Sequence, residues 1–157
     1  METTAVEVKF AADRMLGRLA KWLRVMGQDV IYGQHLTGYG LIRAARSEGR
    51  LILTRDRCLK QKQPPPFILI ESDHYRDQVR QVIEICQVKL GGAPFTRCVV
   101  CNASLQPKAK EAVRGLVPAY VFATQEKFSW CPCCRRVYWP ATHHEKMLEE
   151  LRRMGVC

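Results

Sequence analysis

The chain has 157 residues, 47% hydrophobic and 25% charged, which is the make-up of a globular protein long enough for one ordinary domain or for a domain plus a small metal-stapled module. The second arrangement is expected. No apolar run approaches the roughly 20 residues of a membrane helix, and the N-terminal METTAVEVKF has no apolar signal segment, so neither a membrane protein nor a secreted one is expected.

The formal charge of +10 is shared along the chain, with 15 Lys and Arg against 10 Asp and Glu over residues 1–90 and 10 against 5 beyond. Such an excess favours contact with phosphate backbones. The expected location is the cytoplasm, or a nucleus where there is one. Eight cysteines in such a reducing compartment are read as metal ligands before disulfides.

Residues 6–11 (VEVKFA) predict a strand, with Asp13 just past its end. In RMLGRLAKWLRVMG, residues 14–27, the apolar positions Met15, Leu16, Leu19, Trp22, Leu23 and Met26 recur at helical spacing. They predict a helix with Asp13 as N-cap and Gly27 as its stop. DVIY (29–32) predicts a second strand, and a loop through Gly38 and Gly40 leads to a helix at about 41–48. LILT (51–54) and, after Pro64-Pro65-Pro66, FILIE (67–71) predict two more strands. YRDQVRQVIEICQVK (75–89) predicts a helix that buries Val79, Val82, Ile83 and Cys86. Strands alternating with helices argue for an α/β fold with a mostly parallel sheet and helices on its faces. Periodicity stops at Leu90-Gly91-Gly92-Ala93-Pro94, which divides the chain into residues 1–93 and 94–157.

Beyond that linker stand two C-x-x-C pairs, Cys98/Cys101 and Cys131/Cys134, separated by 29 residues. Two thiolates three residues apart on a tight turn reach one tetrahedral ion, and two such knuckles make a zinc ribbon. Four thiolates leave no open coordination position, so the expected zinc is structural. Cys133 competes with Cys134, which is preferred because it reproduces the first spacing. Cys58, Cys86 and Cys157 read as ordinary thiols.

Chemistry in an open parallel sheet collects beyond the carboxyl ends of its strands. Asp13, Asp56 and Asp73 each follow a predicted strand and can face one crevice, where an oxygen-only site suits Mg²⁺ or Mn²⁺. Glu48 ends its helix at the opposite edge and is excluded. The plainer uses are a helix cap for Asp13 and a surface turn for Asp56. Arg14, Arg18, Lys21 and Arg24 form a basic stripe on the first helix, and Arg55 and Arg57 flank Asp56; the plainer use is a solvated charged face, the other a track for a phosphodiester backbone. Trp130, Tyr138 and Trp139 offer rings for base stacking or, the favoured use, for packing the ribbon on the first domain.

A longer pattern joins these pieces: Phe10-Ala-Ala-Asp13-Arg-Met-Leu-Gly17-Arg-Leu-Ala-Lys-Trp22-Leu-Arg24, Glu48-Gly-Arg50 leading into Leu53-Thr-Arg-Asp56-Arg, the paired cysteines, and Tyr138-Trp139 followed by His143. It resembles the C-terminal ribonuclease domain of the Mut-seven type, a PIN-like nuclease domain followed by a zinc ribbon, over almost the whole chain. The resemblance implies metal-dependent RNA cleavage, with Asp13 and Asp56 at family acidic positions and no small-molecule cofactor. The chain departs from the pattern at Gly40 and its neighbours and at Cys58, where relatives usually carry acids, and at Arg135, where glycine is usual. The alternative is an RNA-binding zinc-ribbon protein without catalysis. His143 and His144 read as helix-start or RNA-facing residues.

Overall fold

The computed structural model describes residues 7–86, 93–140 and 142–156. The expected helix end at 87–89, the linker residues 90–92, the His143 side chain and Cys157 lie outside the described residues.

The N-terminal layer is a four-stranded sheet built from β1 (Phe10–Ala12), β2 (Val30–Ile31), β3 (Leu51–Thr54) and β4 (Phe67–Leu69). All three pairings are parallel, in the order β2-β1-β3-β4. Parallel strands need crossovers, and helices α1 (Gly17–Val25) and α2 (Gly38–Glu48) supply them, while α3 (Tyr75–Cys86) follows β4. β1 and β3, the two central strands, are almost wholly buried, as expected of strands covered on both faces. One cluster lies on the α1 and α3 side, around Phe10, Leu19, Leu23, Leu53, Val79 and Val82. The other, around Leu36, Leu41, Ile42 and Ile52, lies under α2.

Two predicted helix starts shift. Asp13 is not the N-cap of α1: the Leu16 amide donates to the Asp13 carbonyl at 2.8 Å, a turn intervenes, and Leu16 takes the cap position. α2 begins at Gly38, earlier than expected. Gly27 does stop α1, at φ +84°, and an added Cβ there would collide with the Ala93 carbonyl.

The C-terminal segment forms a three-stranded antiparallel sheet in the order β5-β6-β7, from Gln106–Lys108, Phe128–Trp130 and Val137–Tyr138. A short α4 (Ala119–Thr124) packs its Val121 with Val113 and Phe128 in a third, small cluster. The last helix, α5 (Thr142–Arg153), returns to the first layer: Leu151 and Met154 belong to the same buried cluster as Leu19 and Val79. Tyr75 and Arg76 of α3 both reach Glu150 of α5, at 2.8 and 2.5 Å. None of the helices among the described residues is long and apolar enough to cross a membrane.

Candidate active site and metal centre

After β1 the chain moves outward to β2, then crosses back over β1 to enter β3. This reversal leaves a crevice at the carboxyl ends of β1 and β3, the usual place for a site in such sheets. Asp13 and Asp56 stand at those two ends.

The Asp13 amide extends the ladder by donating to the Leu53 carbonyl at 2.9 Å, which pins the residue to β3. Its side chain is 1% exposed. Oδ1 accepts from the Met15 amide at 3.3 Å and Oδ2 from the Thr54 hydroxyl at 3.0 Å. Thr54 Oγ1 in turn accepts from the Asp56 amide at 3.0 Å. A single buried hydroxyl therefore ties the two aspartates together. Asp56 is half-buried, and its Oδ1 accepts from the Cys58 amide at 2.9 Å, shaping the turn that leaves β3. No cationic side chain among the described residues makes an ion pair with Asp13 or Asp56. Buried carboxylates are normally paired or bound to a metal, and burial of Asp13 is offset among the described residues by hydrogen bonds from Met15 and Thr54 alone, which makes it a candidate oxygen ligand.

Asp73 stays apart. It is exposed and lines a cavity of about 160 Å³ with Met15, Leu16, Arg18, His74, Tyr75 and Gln78. The three aspartates do not come within 4.8 Å of one another, whereas the four cysteines do. Gly40, where an acid is usual in the resembled pattern, has no room for one: a Cβ there would lie 2.7 Å from the His35 carbonyl oxygen. Glu48 pairs with Arg50, away from the crevice.

The basic stripe keeps three of its four members. Arg14, Arg18 and Lys21 are exposed, and the Arg18 guanidinium sits 4.0 Å from the centroid of the Tyr75 ring. Arg24 does not join them. It is 5% exposed, its Nε donates to the Val30 carbonyl at 2.9 Å, and one terminal nitrogen reaches the Val99 and Val100 carbonyls at 3.1 and 3.2 Å. The first cysteine knuckle covers that flank of α1, and Arg24 bolts the two together. Burial holds the Arg24 guanidinium below its usual value, against the pull of Cys101, Cys98 and Asp29. Arg57 is exposed and Arg55 half-buried, on either side of Asp56.

The two knuckles are built alike. In each, the residue four after the first cysteine is left-handed, Asn102 at φ +76° and Arg135 at +59°, and donates its amide to that cysteine's carbonyl. In each, the first cysteine donates its own amide five residues ahead, Cys98 to Ala103 and Cys131 to Arg136. This shared turn brings the residue at position three, Cys101 or Cys134, to the centre, and leaves Cys133 exposed. The sulfurs of Cys101 and Cys131 are 3.3 Å apart, those of Cys98 and Cys134 3.9 Å. All four thiols can hold one metal ion such as zinc. Burial raises the Cys98 thiol, but the Tyr138 hydroxyl at 3.0 Å and the amides of the knuckle outweigh it and bring the group down to about 6. Burial and the neighbouring sulfurs push Cys101 up to about 12.

Sequence reasoning missed Thr54 and Asn102. The Asn102 side chain accepts from the Val30 amide at 2.9 Å and donates to Asp29 at 2.7 Å, so the knuckle is locked to the sheet. Its position just after a C-x-x-C pair was the available signal. Trp130 lies under Lys108, whose ammonium is 3.8 Å from the ring centroid, and Tyr138 and Trp139 face the space between ribbon and first layer.

A family model described as the Mut7-C RNAse domain matches residues 8–151. No curated protein and no solved structure matches the chain.

Proposed function

The chain belongs to the Mut7-C RNAse domain family, and from that premise we propose that it is a metal-dependent endoribonuclease whose site is the Asp13–Thr54–Asp56 cluster. The observation that carries the proposal is the buried Asp13 carboxylate, without a cationic partner among the described residues, joined through the Thr54 hydroxyl to the backbone amide of a second aspartate, Asp56, at the switch point of the sheet. The donor set fits a hard divalent cation, with Asp13 and Asp56 as the residues that would hold it. Mg²⁺ or Mn²⁺ bound there would supply a Lewis acid for the phosphodiester and lower the pKa of a bound water. Thr54 orients the Asp13 carboxylate and holds the backbone at Asp56, whose own carboxylate is set by the Cys58 amide. Arg14, Arg18, Lys21, Arg55 and Arg57 hold the phosphate backbone around the crevice, and Asp73 lies at its margin rather than among the ligands. Zinc in the four-cysteine centre is structural, since its coordination is complete.

The test is cleavage of single-stranded RNA by wild-type and Asp56→Asn protein in Mn²⁺. Asp56→Asn is expected to lose at least 100-fold in rate with RNA affinity unchanged; a mutant as active as wild type refutes the assignment. The space denied to an acid at Gly40 favours a second reading, an RNA-binding protein without catalysis. That reading predicts no cleavage by the wild type and an affinity that falls steeply with salt.

A further inference from the structure

A cavity of about 470 Å³ opens between α1, the ribbon and α5, and the proposed hydrolysis makes no use of it. Its size is that of a small-ligand pocket. Four rings line it, Phe95, Tyr138, Trp139 and His144, and Lys21 and Lys127 stand at its rim, with no acidic side chain among the described lining residues. Three of the rings are positioned by contacts of their own. Phe95 and His144 pack with centroids 3.8 Å apart, and the Tyr138 hydroxyl is held by the Cys98 sulfur. Both lysines are exposed, and neither makes an ion pair among the described residues. Arg97, also at the wall, is already committed to the Gly27 and Asn102 carbonyls.

Flat aromatic faces below a cationic rim match what a nucleotide offers. A base stacks on such rings whatever its identity, since every base has a π-face, and ammonium groups take a phosphate as a point charge. The cavity is also in line with the proposed site. Arg14, in the turn before α1, and Arg18 and Lys21, exposed on α1, lie along the chain between Asp13 and the rim; from Arg18 to Lys21 the helix rises roughly 4.5 Å at 1.5 Å per residue.

We infer that this cavity receives one nucleobase of the RNA strand, with Lys21 and Lys127 on that nucleotide's phosphate, so that the strand is anchored at a fixed offset from Asp13 and Asp56. The identity of the ligand rests on the proposed ribonuclease activity; the geometry of the cavity does not.

The test titrates the four nucleoside 5′-monophosphates, ribose 5-phosphate and indole into the full zinc-loaded chain, followed by tryptophan fluorescence and calorimetry. At least one mononucleotide is expected to bind tenfold or more tighter than ribose 5-phosphate and indole. Ser129→Phe, which fills the cavity from β6, is expected to weaken that binding tenfold or more with circular dichroism and zinc content unchanged, and Asp56→Asn to leave it intact. Lys127→Glu should weaken it about fivefold and carries the test if the filled variant does not fold. Equal binding of ribose 5-phosphate would mean a bare anion contact, and tighter binding of indole a pocket for a protein side chain; either overturns the inference. So does the absence of saturable mononucleotide binding, or binding that neither variant weakens. Mononucleotide binding in a chain that cleaves no RNA would sink the hydrolysis and leave the cavity standing. Cleavage that depends on Asp56, in a chain whose mononucleotide binding ignores Ser129→Phe and Lys127→Glu, would do the reverse.

Discussion

Burial works to raise the Asp29 carboxyl, but hydrogen bonds from Arg50 and Asn102, with the charges of Arg50 and Arg97, outweigh it and hold the group below its ordinary value of 3.8. The folded chain therefore takes up this proton less readily than the unfolded chain. The resulting stabilisation is complete above the ordinary value and is lost as the pH falls from there through the lower folded value. Asp29→Asn should cost about 1–3 kcal/mol at pH 7, and its gap from the wild type should shrink below about pH 4. Urea denaturation across a pH series measures this; a gap that ignores pH would show that the charge contributes nothing. Nothing around Asp29 in the sequence announced this role, because Arg97 and Asn102 lie more than 65 residues away. Arg24 misled for the same reason. Helical spacing placed it with the exposed cations, but the covering knuckle arrives from 75 residues along the chain. That Asp13 and Asp56 stand at strand ends was legible because strand ends are local in sequence, whereas the bond from the Thr54 hydroxyl to Asp13 is a tertiary contact.

The knuckles show how much an element's own geometry decides. The spacing of the cysteines identified the four sulfurs, and the repeated turn selects Cys134 over Cys133. Arg135, at φ +59°, occupies the backbone region that costs a residue with a Cβ about 1 kcal/mol or more. Arg135→Gly should relieve that strain and stabilise the zinc-loaded chain by ~1 kcal/mol, read as a rise of roughly 2–4 °C in its thermal midpoint. An unchanged or lower midpoint would mean that the arginine side chain contributes more than its backbone costs. The sequence reading touched the last helix only through a helix start as one use of His143 and His144. Met147, Leu148, Leu151 and Met154 repeat at helical spacing and mark its extent, which the cysteines and aromatics just before it drew attention away from.

α5 joins the two ends of the chain, since Leu151 and Met154 are buried against α1 and α3 and each contributes about 2 kcal/mol at full burial. Arg24 and Asn102 add a second attachment through the first knuckle. Ribbon and sheet should therefore unfold together. Chelating the one zinc expected per chain should lower the midpoint of a single transition, by roughly 10 °C for a loss of about 3 kcal/mol. Calorimetry resolving two independent transitions would show that the halves are separate. Only the linker and the change of pattern near residue 93 could be read beforehand; the return of the final helix depends on contacts that no local window contains. The attachment at Val30 has one more consequence. β2 is a border strand, and the Val30 amide and carbonyl are both taken, by Asn102 and by Arg24. A border strand with free backbone groups is a template for pairing with another molecule. Here Asn102 of the first knuckle and Arg24 of α1 take both groups, so at Val30 the border offers no free backbone for another strand.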